Sequence, residues 1–439
     1  MSRDLDVAAA YNHWSTTYDD APSPLVVLAE HVLAETPAPL RVVELGCGTG
    51  RNLHHLVSRG TLRAIGADLS AGMLDAARRR PLEARWIRAD LSAGEPLELL
   101  DGCADLVLIC LMLEHVADLD PVFAEAARLL ADGGQLRVIE LHPDAADRGS
   151  RARIEVDGVR HTTAWHAHDL ADLRAAASRA GLVASSARDV HPTDEIAARY
   201  PSTRRPQGVP WLLDASWTRG TRAGPVRYDP ASLPRREAFA FFSGFGSPTF
   251  ELTVDVPLGD LRARCTRAGR PFHLVALHAA VRALEAVPEL MLRIEGEAVL
   301  RHHQLRIGAT CMDHAERLGF TYYRAHAELD AFIAAAREAT ARGRERARMV
   351  STTTSDAVFF SNLPWLSFRS ITHADSLDPQ ASVPRLTFGR THETLQGEAL
   401  PVSLSVHHAL ADGVHVSWFF RFLQHHLEGA VRGDGAGRA

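Results

Sequence analysis

Between residues 40 and 141, short apolar runs alternate with segments whose apolar positions recur every three or four residues. LRVVEL ends at Leu45, LRAIGAD at Asp68, ARWIRAD at Asp90 and QLRVIEL at Leu141, with ADLVLICLML between the last two. Each run predicts a buried strand. Leu53, Leu56 and Val57 mark a helix after the first run. A second helix is expected from about Pro121 to Leu130, followed by a turn at Asp132-Gly133-Gly134. Strands alternating with helices predict a parallel sheet covered on both faces. LADLRAAASRAGL then reads as a helix and LVASSARDV as a strand. GVPWLLDASWTRG, from Gly208 to Gly220, reads as the last strand of the same sheet.

The pattern changes after residue 222. RGTRAGPVRYDPASLP is polar with Gly and Pro, which is linker composition. Beyond it come an alternating strand (ELTVDV), a helix beginning near Leu258-Gly259-Asp260, and a long amphipathic helix (FHLVALHAAVRALEAV). Strand-rich segments follow in MLRIEG, AVLRHHQLRIGAT and GFTYYRAH, then a helix in DAFIAAAREATARGRE. VFFSNLPWLSFRSI, PRLTFGRT and ALPVSLSVHHAL read as strands and turns, and VHVSWFFRFLQHHLEGAV as a closing helix. The expected organisation is an α/β domain over 1–222, a linker over 223–232, a second α/β domain over 233–429, and a disordered tail over 430–439.

A chain of 439 residues is too long for one ordinary core. It is 46% hydrophobic and 23% charged, which is the balance of a globular protein. The net charge of −6, with scattered basic residues, argues against a nucleic-acid groove. Cys47, Cys103, Cys110, Cys265 and Cys311 show no paired short spacing, so neither a disulfide framework nor a metal site is expected. The start MSRDLD has no apolar leader, and no run of eighteen apolar residues occurs. A cytoplasmic protein without a membrane span is the expectation.

Two segments carry chemistry. In the first, Glu44 precedes Gly46-Cys47-Gly48-Thr49-Gly50, a strand, glycine turn and helix start. Glycines let the backbone approach a ligand closely. Asp68 lies 18 residues past Gly50, where an acid can accept hydrogen bonds from a ribose diol. Glu44, Asp68, Asp90 and Glu114 all fall at strand ends, where ligands of such sheets sit. These residues, the Asp90-Leu91 pair, LEHV and the opening YNHWSTTYDD resemble the class I S-adenosylmethionine-dependent methyltransferases of the small-molecule type. The GxGxG spacing favours that family over a dehydrogenase loop.

The methyltransferase resemblance implies a Rossmann-like, seven-stranded sheet that binds S-adenosyl-L-methionine. Gly46, Gly48 and Gly50 would line the methionine side, with Glu44 beside them. Asp68 would hold the ribose hydroxyls and Asp90, with Leu91, the adenine. Tyr18 belongs to the opening segment that caps the cofactor. His115, His166 and His168 lie where the acceptor is expected, and no base is assigned among them.

The second segment is His408-Ala409-Leu410-Ala411-Asp412-Gly413 at the end of an apolar strand. With Arg235 in PRREAFAFF, Ser361 and Trp365 in SNLPWLSF, and Thr387 in PRLTFG, it resembles chloramphenicol acetyltransferase from 233 to 429. That resemblance implies an α/β CoA-dependent acyltransferase. It would be a homotrimer with active sites between subunits, using acetyl-CoA or another acyl-CoA. His408 would be the general base, and Ser361 would donate to the oxyanion with Thr387 beside it. Asp412 would pair with Arg235, Trp365 would stack near the coenzyme adenine, and His407 would serve as scaffold. The acceptor pocket departs from the family: Phe242 stands for a tyrosine, Pro248 for a cysteine and Ser405 for a glutamine.

The two sets of residues together predict a bifunctional tailoring enzyme acting on small molecules, with no nucleic-acid or membrane partner. The alternatives are one catalytic half with the other as scaffold or specificity module, and a non-enzymatic small-molecule binding protein.

Overall fold

The computed structural model describes residues 3–4, 6–20, 23–148, 154–156, 159–200, 208–345, 348–349, 354–374 and 378–430. The tail expected over 430–439 falls outside the described residues after Ala430. The chain divides into two compact units, Met1–Thr221 and Arg222–Ala439.

In the first unit, helices α1 (Val7–Trp14) and α2 (Pro24–Ala34) precede the first strand of a seven-stranded sheet, β1 (Arg41–Leu45). Then come α3 (Arg51–Ser58), β2 (Arg63–Asp68), α4 (Ala71–Arg78), β3 (Arg85–Arg88) and β4 (Ala104–Cys110). The sheet is completed by α5 (Asp120–Leu129), β5 (Leu130–Leu141), α6 (Leu170–Arg179), β6 (Leu182–Val190) and β7 (Leu212–Arg219). The seven strands lie in the order β3-β2-β1-β4-β5-β7-β6. Neighbours from β3 to β5 are parallel.

Successive residues of β1 serve opposite faces, as a pleated strand requires. Val43 and Leu45 join a core with Phe123, Leu173 and Trp217, whereas Val42 packs with Leu28, Leu33, Leu53 and Leu108. Burial of each such side chain stabilises by about 1.5–3 kcal/mol.

Two expectations are corrected here. The sheet is not wholly parallel, because β7 inserts antiparallel between β5 and β6. Its Asp214 accepts from Arg137 of β5 at 2.9 Å and from Arg188 of β6 at 2.9 Å, which fixes the strand between two cationic neighbours. The turn expected at 132–134 is absorbed into β5 as an irregularity. Gly133, at φ 77°, bends the strand there.

In the second unit, β8 (Val226–Tyr228) precedes α7 (Arg236–Phe242) and β9 (Thr249–Pro257). Next are α8 (Leu261–Arg267), α9 (Phe272–Glu285), β10 (Leu292–Glu295), β11 (Ala298–Arg301), β12 (Arg306–Met312) and β13 (Leu318–Arg324). The rest are α10 (Leu329–Glu345), β14 (Ala357–Asn362), β15 (Arg385–Phe388), β16 (His392–Thr394), β17 (Gly397–His407) and α11 (Gly413–Gly429). The main sheet runs β9-β17-β15-β14-β12-β13, with β16 on β17. β17 is buried along most of its length. The linker expected over 223–232 contains β8, whose Val226 to Tyr228 pair antiparallel with Arg301 to Val299. Its polar side chains hid a three-residue strand that needs only backbone pairing.

Among the described residues, no helix is long and apolar enough to cross a membrane.

Candidate functional site

The first unit carries a cavity of about 280 Å³ at the carboxyl ends of β1, β2 and β4. Tyr11, Tyr18, Glu44, Gly46, Gly48, Asp68, Asp90, Leu91 and His115 are among its lining residues. Gly50 is not. It starts α3 at φ 73°, and a Cβ there would meet the Trp86 ring at 2.6 Å. Gly48 also has a left-handed φ, 50°, but a Cβ on it would meet nothing within 4 Å. Gly48 therefore borders open space, while Gly50 serves packing.

Glu44 is 1% exposed. One carboxylate oxygen accepts from Asn52 Nδ2 at 2.7 Å, and Oε2 has no partner. Burial pushes its carboxyl up to about 8, partly offset by the Asn52 hydrogen bond. Asp68 accepts from the Gly48 amide at 2.7 Å and the Ser70 amide at 2.8 Å. Burial raises its carboxyl and the Ser70 and Gly48 amides oppose that. Each oxygen keeps a lone pair for a further donor. Asp90 is exposed and accepts from the Ser92 amide at 2.9 Å and its hydroxyl at 2.6 Å.

The opening segment is tied over this cavity. Asn12 Oδ1 accepts from Ser70 Oγ at 2.8 Å and the Gly72 amide at 2.9 Å. Asp19 accepts from Thr49 Oγ1 at 3.0 Å and pairs with Arg80. The Tyr18 ring meets Trp14 edge-on at 4.9 Å, and burial raises its phenol. Tyr11 Oη lies 2.8 Å from His115 Nε2. His168 Nε2 is instead held by the Val116 carbonyl at 2.7 Å, and His166 and His168 line a separate small pocket. Tyr11, Asn12 and Asn52 were not singled out from sequence. The first two lay inside the YNHWSTTYDD motif, whereas Asn52 is marked by no pattern.

An orphaned buried carboxylate oxygen, a pair of acids and a bare glycine loop fit a cationic ligand carrying a diol. S-Adenosyl-L-methionine has that character.

In the second unit, His408 follows β17, and its amide donates to the Pro248 carbonyl at 2.7 Å. The Phe242 ring stacks on the imidazole at 3.9 Å and 8°, with Phe250 at 4.6 Å. His408 Nδ1 is buried with no partner. Asp412 pairs with Arg235, whose Nη2 also donates to the His408 carbonyl at 3.3 Å. Asp412 caps α11 by accepting from the Val414 amide at 3.1 Å. Its hydrogen bond with His415, helped by Arg235, holds its carboxyl well below the usual range. His407 is buried, with Nε2 against the Pro379 carbonyl at 2.8 Å.

Ser361 and Thr387 face each other across the β14–β15 pair, and Thr387 pairs with Ser403 of β17. Thr387 is fully buried, its hydroxyl 3.1 Å from His373 Nε2. His408 lies five residues along β17 from Ser403. At about 3.3 Å per residue, that is roughly 16 Å from the level of Ser361 and Thr387. A single chain thus brings Arg235, Asp412 and His408 together and leaves Ser361 and Thr387 apart from them. Trp365 is 65% exposed.

The methyltransferase-domain family model matches residues 42–134, and the chloramphenicol acetyltransferase family model matches residues 226–424. The malonyl-[acyl-carrier protein] O-methyltransferase of Dechloromonas aromatica is 31% identical over 198 residues, 44% of this chain and 71% of that protein. The chain belongs to the methyltransferase family through its N-terminal half, and its C-terminal half is similar to chloramphenicol acetyltransferase.

An uncharacterized methyltransferase of Emericella nidulans is 29% identical over 219 residues, 40% of this chain and 76% of that protein. Chloramphenicol acetyltransferase 2 of Escherichia coli is 26% identical over 203 residues, 45% of this chain and 95% of that protein. The chain spans only 29% to 57% of the length of other curated proteins that its methyltransferase half matches. The two halves are enzyme domains of the methyltransferase and acyltransferase types.

Proposed function

We propose that this chain is a bifunctional tailoring enzyme of small-molecule metabolism. One half transfers methyl from S-adenosyl-L-methionine, and the other transfers an acyl group, acetyl first among the candidates, from CoA to a hydroxyl. The observation that carries this reading is that both sets of functional side chains are present, the first around one cavity and the second with Arg235, Asp412 and His408 grouped together.

In the methyltransferase half, Glu44 Oε2 would receive the cationic amino end of the cofactor and Asp68 its ribose hydroxyls. Asp90 and Leu91 would border the adenine, and Tyr18 would close the cavity with the opening segment. When bound, the cofactor supplies an electrophilic methyl on a sulfonium. The protein's task is then orientation and exclusion of water.

In the acyltransferase half, His408 takes the proton of the acceptor hydroxyl. Arg235 and Asp412 hold the loop that carries it, and Phe242 fixes the plane of its ring. Ser361, with Thr387 beside it, donates to the developing oxyanion. The separation of His408 from Ser361 along the sheet supports a site completed between copies of the chain, as a homotrimer would provide. Trp365, exposed in one copy, would stack near the coenzyme adenine.

Calorimetry with intact protein tests the first half: S-adenosyl-L-methionine binds, and Asp68→Ala weakens it. No binding to the folded protein sinks that half. For the second, His408→Ala abolishes acceptor-dependent CoA release while the fold persists, and unchanged release removes His408 from its role.

A further inference from the structure

We propose that Tyr11 and His115 form a proton relay for the methyl acceptor, and that this acceptor is an uncharged hydroxyl compound, an alcohol or a phenol. The inference rests on the methyl-transfer reading above and names the substrate class of that site.

The hydrogen-bond chain has a direction. His115 Nδ1 faces the Ala164 carbonyl at 3.2 Å, and a carbonyl only accepts. Nδ1 therefore carries the ring proton, leaving Nε2 as a lone pair. The Tyr11 hydroxyl, 2.8 Å away, donates to it. The phenol oxygen keeps its own lone pairs toward the cavity that both residues line. α1 is fixed in place by Asn12, so Tyr11 does not depend on a ligand for its position.

The surroundings select for charge. Asp68 lines the cavity and Glu114 lies close to it, with Glu114 Oε1 3.5 Å from His115 Nε2, whereas burial pushes the carboxyls of Glu44 and Glu140 up to about 8 and takes them out of this field. Arg51 also lines the cavity, but its guanidinium is held by Glu30 at 2.6 Å and by Asp19 at 3.6 Å. An anionic acceptor would enter this field against repulsion. A carboxylate, being already ionised, would also leave the relay without a task. A neutral hydroxyl needs a base and meets no such repulsion.

The step balances. The acceptor oxygen bonds to the methyl carbon as the sulfur–methyl bond breaks, and that electron pair stays on sulfur. The acceptor proton goes to Tyr11 Oη, and the Tyr11 proton goes to His115 Nε2. Glu114 then faces the imidazolium. Tyr11, Glu114, His166 and Asp68 are the titratable groups around His115. Burial lowers the His115 imidazole first, with His166 adding to this and Asp68 opposing it. Burial, Tyr18, Glu114, Asp68 and Glu140 raise the Tyr11 phenol, so it works as a relay rather than as a phenolate.

The test uses the full chain labelled with ¹⁵N-histidine and saturated with S-adenosylhomocysteine. His115 signals are assigned by their loss in His115→Gln. A neutral Nδ1–H imidazole at pH 7, with an Nε2 shift that moves in Tyr11→Phe, is expected. An Nε2–H tautomer, an imidazolium at pH 7, or an Nε2 signal indifferent to Tyr11→Phe overturns the relay. In parallel, methyl-labelled S-adenosyl-L-methionine is incubated with the protein and a small-molecule extract. Label in an alkali-stable product, cut about 100-fold in Tyr11→Phe and His115→Gln, is the expected result. Label released by mild alkali as methanol marks an ester, and with it a carboxylate acceptor, which overturns the substrate class. Wild-type protein that binds no S-adenosylhomocysteine refutes the methyl-transfer reading itself; binding without the His115 signature refutes only the relay.

Discussion

Arg235 and Asp412, 177 residues apart in sequence, form an ion pair, and the same guanidinium donates to the carbonyl of His408 at 3.3 Å. The link joins the start of α7 to the loop between β17 and α11. His408 is thus held from the far end of its own domain.

Replacing Asp412 with Asn keeps a helix-capping side chain and removes the charge. The lowered carboxyl of Asp412 contributes stability that is complete above the ordinary aspartate value of about 3.9 and is lost as pH falls through its folded value. Unfolding measured against pH should therefore show Asp412→Asn less stable than wild type at neutral pH, by about 0.5–1 kcal/mol for a partly exposed pair. The two curves should start to approach each other only below about pH 4 and meet once pH has fallen past the folded value of Asp412. Acyl transfer should fall more than stability does, since His408 loses its tether.

Glu44 sets function against stability. Its raised carboxyl favours folding below the unfolded glutamate value of about 4.3, and that contribution is lost as pH rises through about 8. Glu44→Gln should be more stable than wild type at alkaline pH without ligand. Affinity for S-adenosyl-L-methionine should drop about 10- to 100-fold, the worth of one charge-assisted hydrogen bond. Calorimetry at pH 7 in buffers of different ionisation enthalpy should show proton release on binding to wild type and none in Glu44→Gln.

Gly48 and Gly50 should separate in their effects. Both carry a left-handed φ, so alanine costs about 1 kcal/mol at either. At Gly50 the new methyl also strikes the Trp86 ring, adding about 1–3 kcal/mol of overpacking. Denaturant unfolding should find Gly50→Ala markedly destabilised and Gly48→Ala nearly intact. Ligand binding should be lost in Gly48→Ala, where the methyl projects into open space beside Asp68.

Mixed assemblies test whether the acyltransferase site is shared. His408→Ala and Ser361→Ala chains, each inactive alone, are co-expressed in equal amounts. If one copy supplies His408 and another Ser361, random association restores about a quarter of wild-type sites. Activity no higher than in the parents would place both residues in one chain's site.

Much of the methyltransferase half was legible because its signals are local. Leu45 to Gly50 specifies a strand, a turn and a helix start within a few residues, and Asp68 follows at the end of the next strand. The Tyr11–His115 contact was not legible: its partners lie 104 residues apart, and only the docking of α1 joins them. The position of β7 was equally hidden. Alternation marks Leu212 to Arg219 as a strand, but its place between two neighbours depends on Asp214 meeting Arg137 and Arg188.

In the acyltransferase half the residue types were readable and their grouping was not. The HHALADG segment, Arg235, Ser361 and Thr387 carry the resemblance to chloramphenicol acetyltransferase. The Arg235–Asp412 ion pair groups His408 with them, and sheet register puts Ser361 and Thr387 further along. The reason is physical: residue identity sets what a side chain can donate, accept or ionise. Distance between segments far apart in sequence is set by strand pairing and helix packing, in which many weak contacts act together. The chain's sequence therefore determined the two chemistries. Only the tertiary structure decided which side chains share a cavity, which carboxyls burial raises, and which functional side chains of one chain lie together.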